Sequence, residues 1–198
     1  DGVIANPQLF PNPEDPSRGA LYGCPAGWNC QITTHQLFKA GGMADKGWDL
    51  IDPGSGAGLA GAMTEAYNKG DGWIGYYWGP TAILGQVEMV QVDQGPHNAD
   101  EWARCIGADM DCPDPMMMNH PVSTVEIYVS KKIMENKTVM RYLGARGMTS
   151  AEISVILAAA DADQLSPEEA AEYILNERED LWKKMVSNDV RIKIKAAL

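Results

Sequence analysis

The sequence GCPAGWNC, residues 23–30, is the segment from which the rest of the chain can be interpreted. Its two cysteines lie six positions apart with a proline and a glycine between them, so a disulfide from Cys24 to Cys30 can close a tight turn. The following residues, 31–40, carry apolar side chains at helical spacing and end at two glycines. The segment therefore predicts a closed turn that leads directly into the N-terminus of a helix.

The start of this helix has the properties of an anion-binding site. The backbone N–H groups of Asn29, Cys30 and Gln31 have no partners within the predicted helix, and the helix dipole places partial positive charge at the same end. Trp28 stands beside them, and a tryptophan face is the best aromatic surface for a cation. The combination favours a zwitterionic ligand; the alternative is that Trp28 packs on the disulfide while water caps the helix.

A second aromatic segment, GWIGYYWGP at residues 72–80, predicts a strand. Its side chains alternate from Trp73 to Trp78, and Gly79-Pro80 ends the strand before a short helix over residues 81–84. Trp78 is therefore expected at the C-terminal end of the strand, which is where open α/β sheets bind their ligands. Two tryptophans thus occupy positions that are typical of a binding site.

Three segments of the chain resemble those of a known family. GCPAGWNC, YYWGP at residues 76–80 and PVST at residues 121–124 are similar to the G-C-x-x-G-W-x-C, Y-x-W-x-P and P-V-S-T segments of glycine betaine/proline betaine-binding proteins. These are the soluble receptors of osmoprotectant ABC importers. The segments keep the family's order and rough spacing, and weaker similarity extends from about Leu21 to the C-terminus. The resemblance implies a two-lobed α/β receptor that closes on a quaternary ammonium compound.

The resemblance also implies which residues bind the ligand. Trp28 and Trp78 would be walls of an aromatic box around the methylated ammonium group, and the amides of Asn29 and Cys30 would hold the carboxylate. The family often has glycine where this chain has Asn29, which leaves the amide available but puts the conformation of the turn in doubt. In the family, further box residues come from the N-terminal lobe, and no segment of this chain matches them.

The length of the chain leads to the same expectation. Two complete lobes of ordinary domain size need roughly 200–300 residues, whereas the chain has 198. It begins at Asp1 without the charged and apolar regions of a signal peptide. We therefore expect a fragment or a cleaved chain that lacks much of the N-terminal lobe.

The order of the predicted elements indicates an α/β fold in two parts. Residues 1–120 are predicted to form a ligand-binding lobe like that of periplasmic binding proteins, with a partly parallel sheet. Residues 121–198 are predicted to form a crossover strand and C-terminal helices that, by the resemblance, belong to the other lobe. The predicted strands after the first helix are 48–52, 73–78, 87–92 and 124–129. The later predicted helices are 57–69 with Ser55 as N-cap, 133–146 with a break at Gly144, 150–161 and 166–182, the last two opened by capping boxes.

The four cysteines favour local pairing, Cys24 with Cys30 and Cys105 with Cys112, because the members of each pair lie close together among loop residues. Four cysteines allow three connectivities, so local pairing is a preference. A zinc site is the alternative, although these spacings fit known zinc sites poorly. Disulfides are typical of an oxidising compartment, so we expect the protein in the periplasm or at the extracellular face of the cell membrane.

Charge and composition exclude several classes of function. The formal net charge is −11 and no basic stripe is visible, which argues against nucleic acid as a partner. No apolar segment approaches 18 residues, so membrane association is expected only through a permease or a lipid anchor. The three histidines lack the spacing of metal sites, and no nucleophile motif occurs. We therefore expect no metal, no cofactor and no enzymatic activity.

Three functions remain open from the sequence. The first is a receptor that delivers glycine betaine or a related osmoprotectant to an ABC importer permease. The second keeps the fold but binds choline, carnitine or another amine. The third is a secreted enzyme or structural domain in which Trp28 and Trp78 are buried in the core.

Overall fold

A computed structural model describes residues 2–108 and 110–198. The chain divides into two compact units. The first contains the chain through Tyr77 together with Val90–Val122, and the second contains Trp78–Met89 together with Ser123–Leu198. The sequence prediction divided the chain after residue 120 and so placed residues 78–89 in the first part, whereas the structure groups them with the second unit.

The first unit is built on a parallel pair of strands, β1 (Gly19–Tyr22) and β2 (Trp48–Ile51). Gly19 pairs with Trp48 and Tyr22 with Ile51, and helix α1 (Asn29–Ala40) makes the connection that parallel strands require. Trp48 is fully buried, and its indole nitrogen donates to the carbonyl of Ile4 at 2.9 Å. The predicted α/β class and the parallel pairing are confirmed.

The described residues contain further helices in both units. In chain order they are α2 (Gly56–Lys69), α3 (Ile83–Gln86), α4 (Ala99–Glu101), α5 (Lys131–Met134), α6 (Lys137–Ala145), α7 (Ser150–Ala162), α8 (Pro167–Glu177), α9 (Glu179–Trp182) and α10 (Asn188–Lys195). Short 3-10 turns cover Pro7–Leu9, Ala44–Lys46 and Lys183–Met185, and a π-helical turn at Trp102–Ile106 follows α4. Across these described residues, no helix has both the length and the apolar composition needed to cross a membrane.

The core of the first unit joins α1 to the long loop before residue 122. Leu37 of α1 packs with Ile106 and Met118, and Trp102 and Met117 cover this cluster. A disulfide between Cys105 and Cys112, with an S–S distance of 1.99 Å, closes the same loop, and the ammonium group of Lys39 donates to the carbonyl of Cys112 at 2.7 Å. The loop is therefore closed on itself by a covalent bond, and it is held against α1 by packing and by a charged donor.

The second unit is helical, and its core lies between α3 and α7 and around α9. Helix α3 packs on α7, and each of the two helices has a buried isoleucine, Ile83 in α3 and Ile156 in α7. Leu181, Trp182 and Met185 form a further buried group. Trp182 is 6% exposed and therefore belongs to the core of this unit.

Both predicted capping boxes are present. At the start of α7 the amide of Glu152 donates to the hydroxyl of Thr149, and the Glu152 carboxylate accepts from the amide of Thr149. Ser166 and Glu169 form the same pair at the start of α8, with Pro167 at the first helical position. Ser55 caps α2 by accepting from the amide of Gly58 at 3.0 Å. Local sequence signals therefore predicted these three helix starts correctly.

Replacing Ser166 with alanine is expected to lower the free energy of unfolding by about 1 kcal/mol, because the amide of Glu169 loses its acceptor. Ser187→Ala is the matched control, since Ser187 is the N-cap of α10 but its side chain makes no capping hydrogen bond. Denaturant unfolding followed by circular dichroism measures both. Equal losses in the two variants would show that the capping bond at α8 contributes nothing.

The three later strand predictions are wrong. Of the residues 73–78, only Gly75 forms a bridge, a parallel one to Tyr22, and segments 87–92 and 124–129 contain no strand. Alternating apolar residues make a strand only where a neighbouring strand offers hydrogen bonds. Segment 73–78 finds such bonds at Tyr22 alone, and the described residues offer no strand beside 87–92 or 124–129. Val90 and Val125 are accordingly 86% and 95% exposed.

Two predicted helices are shorter than expected. The helix predicted over 133–146 begins earlier and is divided at Asn136, whose side chain caps α6, while Gly144 lies inside α6 without a break. The long helix predicted to reach Trp182 ends at Glu177, because Arg178 leaves the helical region with φ −120° and ψ 45°. The first predicted helix is therefore divided by an internal N-cap, and the second ends early at a residue with non-helical backbone angles.

Candidate functional site

The turn at residues 23–30 is covalently closed as the local pairing predicted. The Sγ atoms of Cys24 and Cys30 are 2.01 Å apart, and the amide of Trp28 donates to the carbonyl of Pro25 at 3.2 Å. Gly27 has φ 88°, a left-handed conformation that glycine adopts without strain. Together these features bring Trp28 to the N-cap of α1, with φ −85° and ψ 145°.

The first amides of α1 form a compact group of donors. For Asn29 and Cys30, the described part of the chain supplies no acceptor to the backbone N–H groups. The amide of Gln31, by contrast, donates to the carbonyl of Trp28 at 2.9 Å, so the expectation that it is available for an anion is wrong. The Gln31 side chain also accepts from the amide of Gly27 at 3.1 Å, which ties the helix back to the turn. Two amides at the positive end of the helix dipole remain to bind an anion.

The indole of Trp28 lies at the surface of the first unit. It is 40% exposed, and its six-membered ring packs over Gly56 at the start of α2. A β-carbon at Gly56 would lie 3.1 Å from Cη2 of Trp28, so glycine allows this close approach. The alternative in which Trp28 is buried in the core is therefore wrong.

Trp78 begins the second unit and is 38% exposed. It is followed by a cis peptide bond between Gly79 and Pro80. The amide of Thr81 donates to the hydroxyl of Ser154 in α7 at 3.2 Å, which fixes the segment after Trp78 to a helix. Trp28, Asn29 and Cys30 thus share one turn of the first unit, whereas Trp78 is carried by a different element.

A cavity of about 150 Å³ lies within the first unit where β1 and β2 end. Its walls are mainly apolar, with Gln31, Thr34, His35 and Asp52 as polar members. Asp52 accepts from the amide of Gly54 at 2.8 Å, and Nδ1 of His35 is buried without a hydrogen-bond partner. Within residues 2–108 and 110–198, no group of three or more histidine, cysteine or acidic side chains could hold a metal ion.

An aromatic cluster near the end of the first unit was not expected from the sequence. The His120 ring lies 5.6 Å from that of Tyr76 and 5.2 Å from that of Trp102, and the Trp102 ring is 5.3 Å from that of His97. Nε2 of His120 is 3.5 Å from the hydroxyl of Thr33 in α1. Thr33, Tyr76 and His120 are far apart in the chain and no local pattern links them, so sequence reasoning gave His97 and His120 no role.

Burial sets the ionisation of the groups in this cluster. Removal from water lowers the pKa of His120, and the nearby His97 lowers it further. Burial likewise raises the pKa of the Tyr76 phenol. Both side chains are therefore held in their neutral forms at neutral pH.

One protein-family model matches most of this chain. A family model described as the substrate binding domain of ABC-type glycine betaine transport system matches residues 4–177. The match includes the closed turn, both exposed tryptophans and most of the second unit. A comparison with curated proteins finds no match.

Proposed function

Because the chain belongs to the family of substrate-binding domains of ABC-type glycine betaine transport systems, we propose that it binds a quaternary ammonium compound that carries a carboxylate. Members of this family are substrate-binding receptors of ABC importers, act outside the cytoplasm, and deliver a small molecule to a permease. The ligand that we propose first is glycine betaine, with proline betaine as a close relative. The observation that carries this proposal is an exposed tryptophan placed directly beside two available helix amides.

The carboxylate is proposed to bind the amides of Asn29 and Cys30. These amides begin a helix of 12 residues, where the helix dipole adds to the attraction of the two N–H donors. The Cys24–Cys30 disulfide and the Gln31–Gly27 hydrogen bond hold the turn before any ligand arrives. Preorganised donors of this kind lower the cost of ordering the site on binding.

The methylated ammonium group is proposed to contact the face of Trp28 in the first unit. Trp78, in the second unit, is proposed separately as a tryptophan whose face suits a group of the same kind. A cation over a tryptophan face gains about 0.5–2 kcal/mol, and more when it is removed from water. A quaternary ammonium group has no N–H donors, so it loses little when an aromatic surface replaces its hydration shell. The net charge of −11 adds a general attraction for the cationic end of a ligand.

The proposed action is binding and release without chemistry. The receptor is proposed to work in the periplasm or at the extracellular face of the cell membrane, where the permease reads the ligand-bound form. Both disulfides suit such an oxidising compartment. The permease, or a lipid anchor, would supply any contact with the membrane.

Isothermal titration calorimetry with glycine betaine, proline betaine, choline, carnitine and glycine tests the proposal. We expect saturable binding of both betaines and at least about tenfold weaker binding of choline, because choline leaves the two amides without a charged acceptor. Glycine should bind more weakly than glycine betaine because its ammonium group is strongly hydrated. Tighter binding of choline, or binding of none of these compounds, would contradict the proposal.

A further inference from the structure

We propose that the side chain of Asn29 determines ligand specificity, because its carboxamide donates a third hydrogen bond to the ligand carboxylate beside the backbone amides of Asn29 and Cys30. The inference rests on the proposed function, since it concerns how the same turn recognises its ligand. It involves the first unit alone, because Trp28, Asn29 and Cys30 are consecutive residues of that unit.

The start of α1 offers a carboxylate fewer backbone donors than a helix start ordinarily does. The first N–H groups of a helix have no partner within it, and together they bind an anion. In α1 the amide of Gln31 already donates to the carbonyl of Trp28 at 2.9 Å. A carboxylate has two oxygens with about four acceptor positions in all. A carboxylate bound by the remaining two amides therefore keeps acceptor positions for a further donor.

Asn29 carries a side chain that can supply this donor. The residue is exposed, and within the described parts of the chain its carboxamide has no hydrogen-bond partner. The side chains of Asn98 and Asn136, by contrast, are used as helix caps. Asn29 is the first residue of α1, where the bond from Cα to Cβ tilts toward the helix N-terminus. The two N–H donors of its carboxamide therefore reach the same end of the helix as its backbone amide.

The chain around Asn29 carries no charge that would neutralise the start of this helix. Residues 19–38 contain no aspartate, glutamate, lysine or arginine, and the first turn of α1 has no acidic residue. The first turns of α7 and α8 do contain acids, Glu152 and Glu169, which bond back to their own caps. The positive end of the α1 dipole is thus left to attract an external carboxylate.

Removal of the carboxamide should weaken the binding of betaines selectively. Asn29→Ala keeps both backbone amides and deletes only the side-chain donor. We expect the dissociation constant of glycine betaine to rise about three- to tenfold, because a hydrogen bond to a charged group is lost. The dissociation constant of choline should stay within about twofold of the wild-type value, because choline has no carboxylate to accept this bond. The preference for glycine betaine over choline therefore decreases.

A negative charge at the same position should have a larger and opposite effect on the two ligands. Asn29→Asp keeps the shape of the side chain but replaces its donors with a carboxylate, which repels that of glycine betaine. An acid in the first turn of a helix is favourable, so the fold should be retained. We expect the dissociation constant of glycine betaine to rise at least about thirtyfold, whereas choline should bind at least as tightly as it binds the wild type.

Isothermal titration calorimetry of each protein with glycine betaine and with choline at neutral pH makes this comparison. Asn68→Asp is the matched control, because Asn68 is an exposed asparagine of the same unit and lies on α2. It lies 12 residues after Gly56, the glycine under Trp28, which is about 18 Å along the helix. This control should leave both dissociation constants within about twofold of the wild-type values. Circular dichroism shows whether each variant is folded.

The outcomes separate this inference from the proposed function. If the wild type binds glycine betaine but Asn29→Ala keeps the wild-type preference over choline, the role of the Asn29 side chain is overturned and the proposed function stands. Equal losses for the two ligands in Asn29→Ala also overturn that role, because they indicate a change in the turn itself. Absence of betaine binding by the wild type overturns the proposed function and this inference with it.

Discussion

Trp28→Ala is expected to weaken glycine betaine binding by about two- to thirtyfold, which corresponds to the loss of ~0.5–2 kcal/mol of cation–π stabilisation. The side chain is 40% exposed and packs on Gly56 by one edge. Calorimetry with glycine betaine measures the change in affinity. Denaturant unfolding of the same variant shows whether the fold is retained.

Tyr67→Ala is the matched control for this prediction. Tyr67 lies on α2 in the same unit and is 45% exposed, so it is an aromatic surface residue outside the proposed site. Its removal should leave the dissociation constant within about twofold of the wild-type value. If Trp28→Ala binds glycine betaine with wild-type affinity, Trp28 is not part of the proposed site. Equal losses in the two variants would instead indicate a general surface effect.

Gly85→Ala is expected to lower the free energy of unfolding by about 1–3 kcal/mol. Gly85 lies in α3 where this helix packs on α7, and a β-carbon there would overlap the backbone carbonyl of Ser154. The same β-carbon would lie 2.9 Å from that of Ala158. Because backbone and a β-carbon cannot rotate away, the two helices must move apart.

Gly144→Ala is the control for Gly85→Ala. Gly144 lies inside α6 of the same unit, and a β-carbon there meets no atom within 4 Å. The higher helix propensity of alanine should therefore raise the free energy of unfolding by about 0.5–1 kcal/mol. Denaturant unfolding by circular dichroism measures both variants. A stabilising effect of Gly85→Ala would contradict the close packing of α3 on α7.

Local chemistry explains what the sequence predicted well. The Cys24–Cys30 turn, the start of α1 and the capping boxes at Thr149 and Ser166 each depend on residues within eight positions of one another. Such signals need no knowledge of distant neighbours, because the groups that satisfy each backbone N–H are adjacent in the chain. Their positions in the structure match the sequence predictions closely.

Long-range pairing explains what the sequence did not predict. The alternation around Val90 and Val125 predicts strands, but a strand forms only when another strand lies beside it. Likewise, Thr33, Tyr76 and His120 come together from three distant parts of the chain. A single sequence shows neither kind of neighbour. The predicted ligand residues Trp28, Asn29, Cys30 and Trp78 came from local sequence patterns together with the family resemblance, and their contact with a ligand stays a prediction.

The central claim is that the closed turn before α1 binds the carboxylate of a betaine. It is tested most directly by proton–nitrogen correlation spectra of isotope-labelled protein during titration with glycine betaine and, separately, with choline. We predict that glycine betaine shifts the backbone amides of Asn29 and Cys30 and the indole of Trp28, whereas choline shifts the indole but leaves the two amides nearly unchanged. Saturation with glycine betaine that moves neither amide, or that moves both no more than choline does, would contradict the claim.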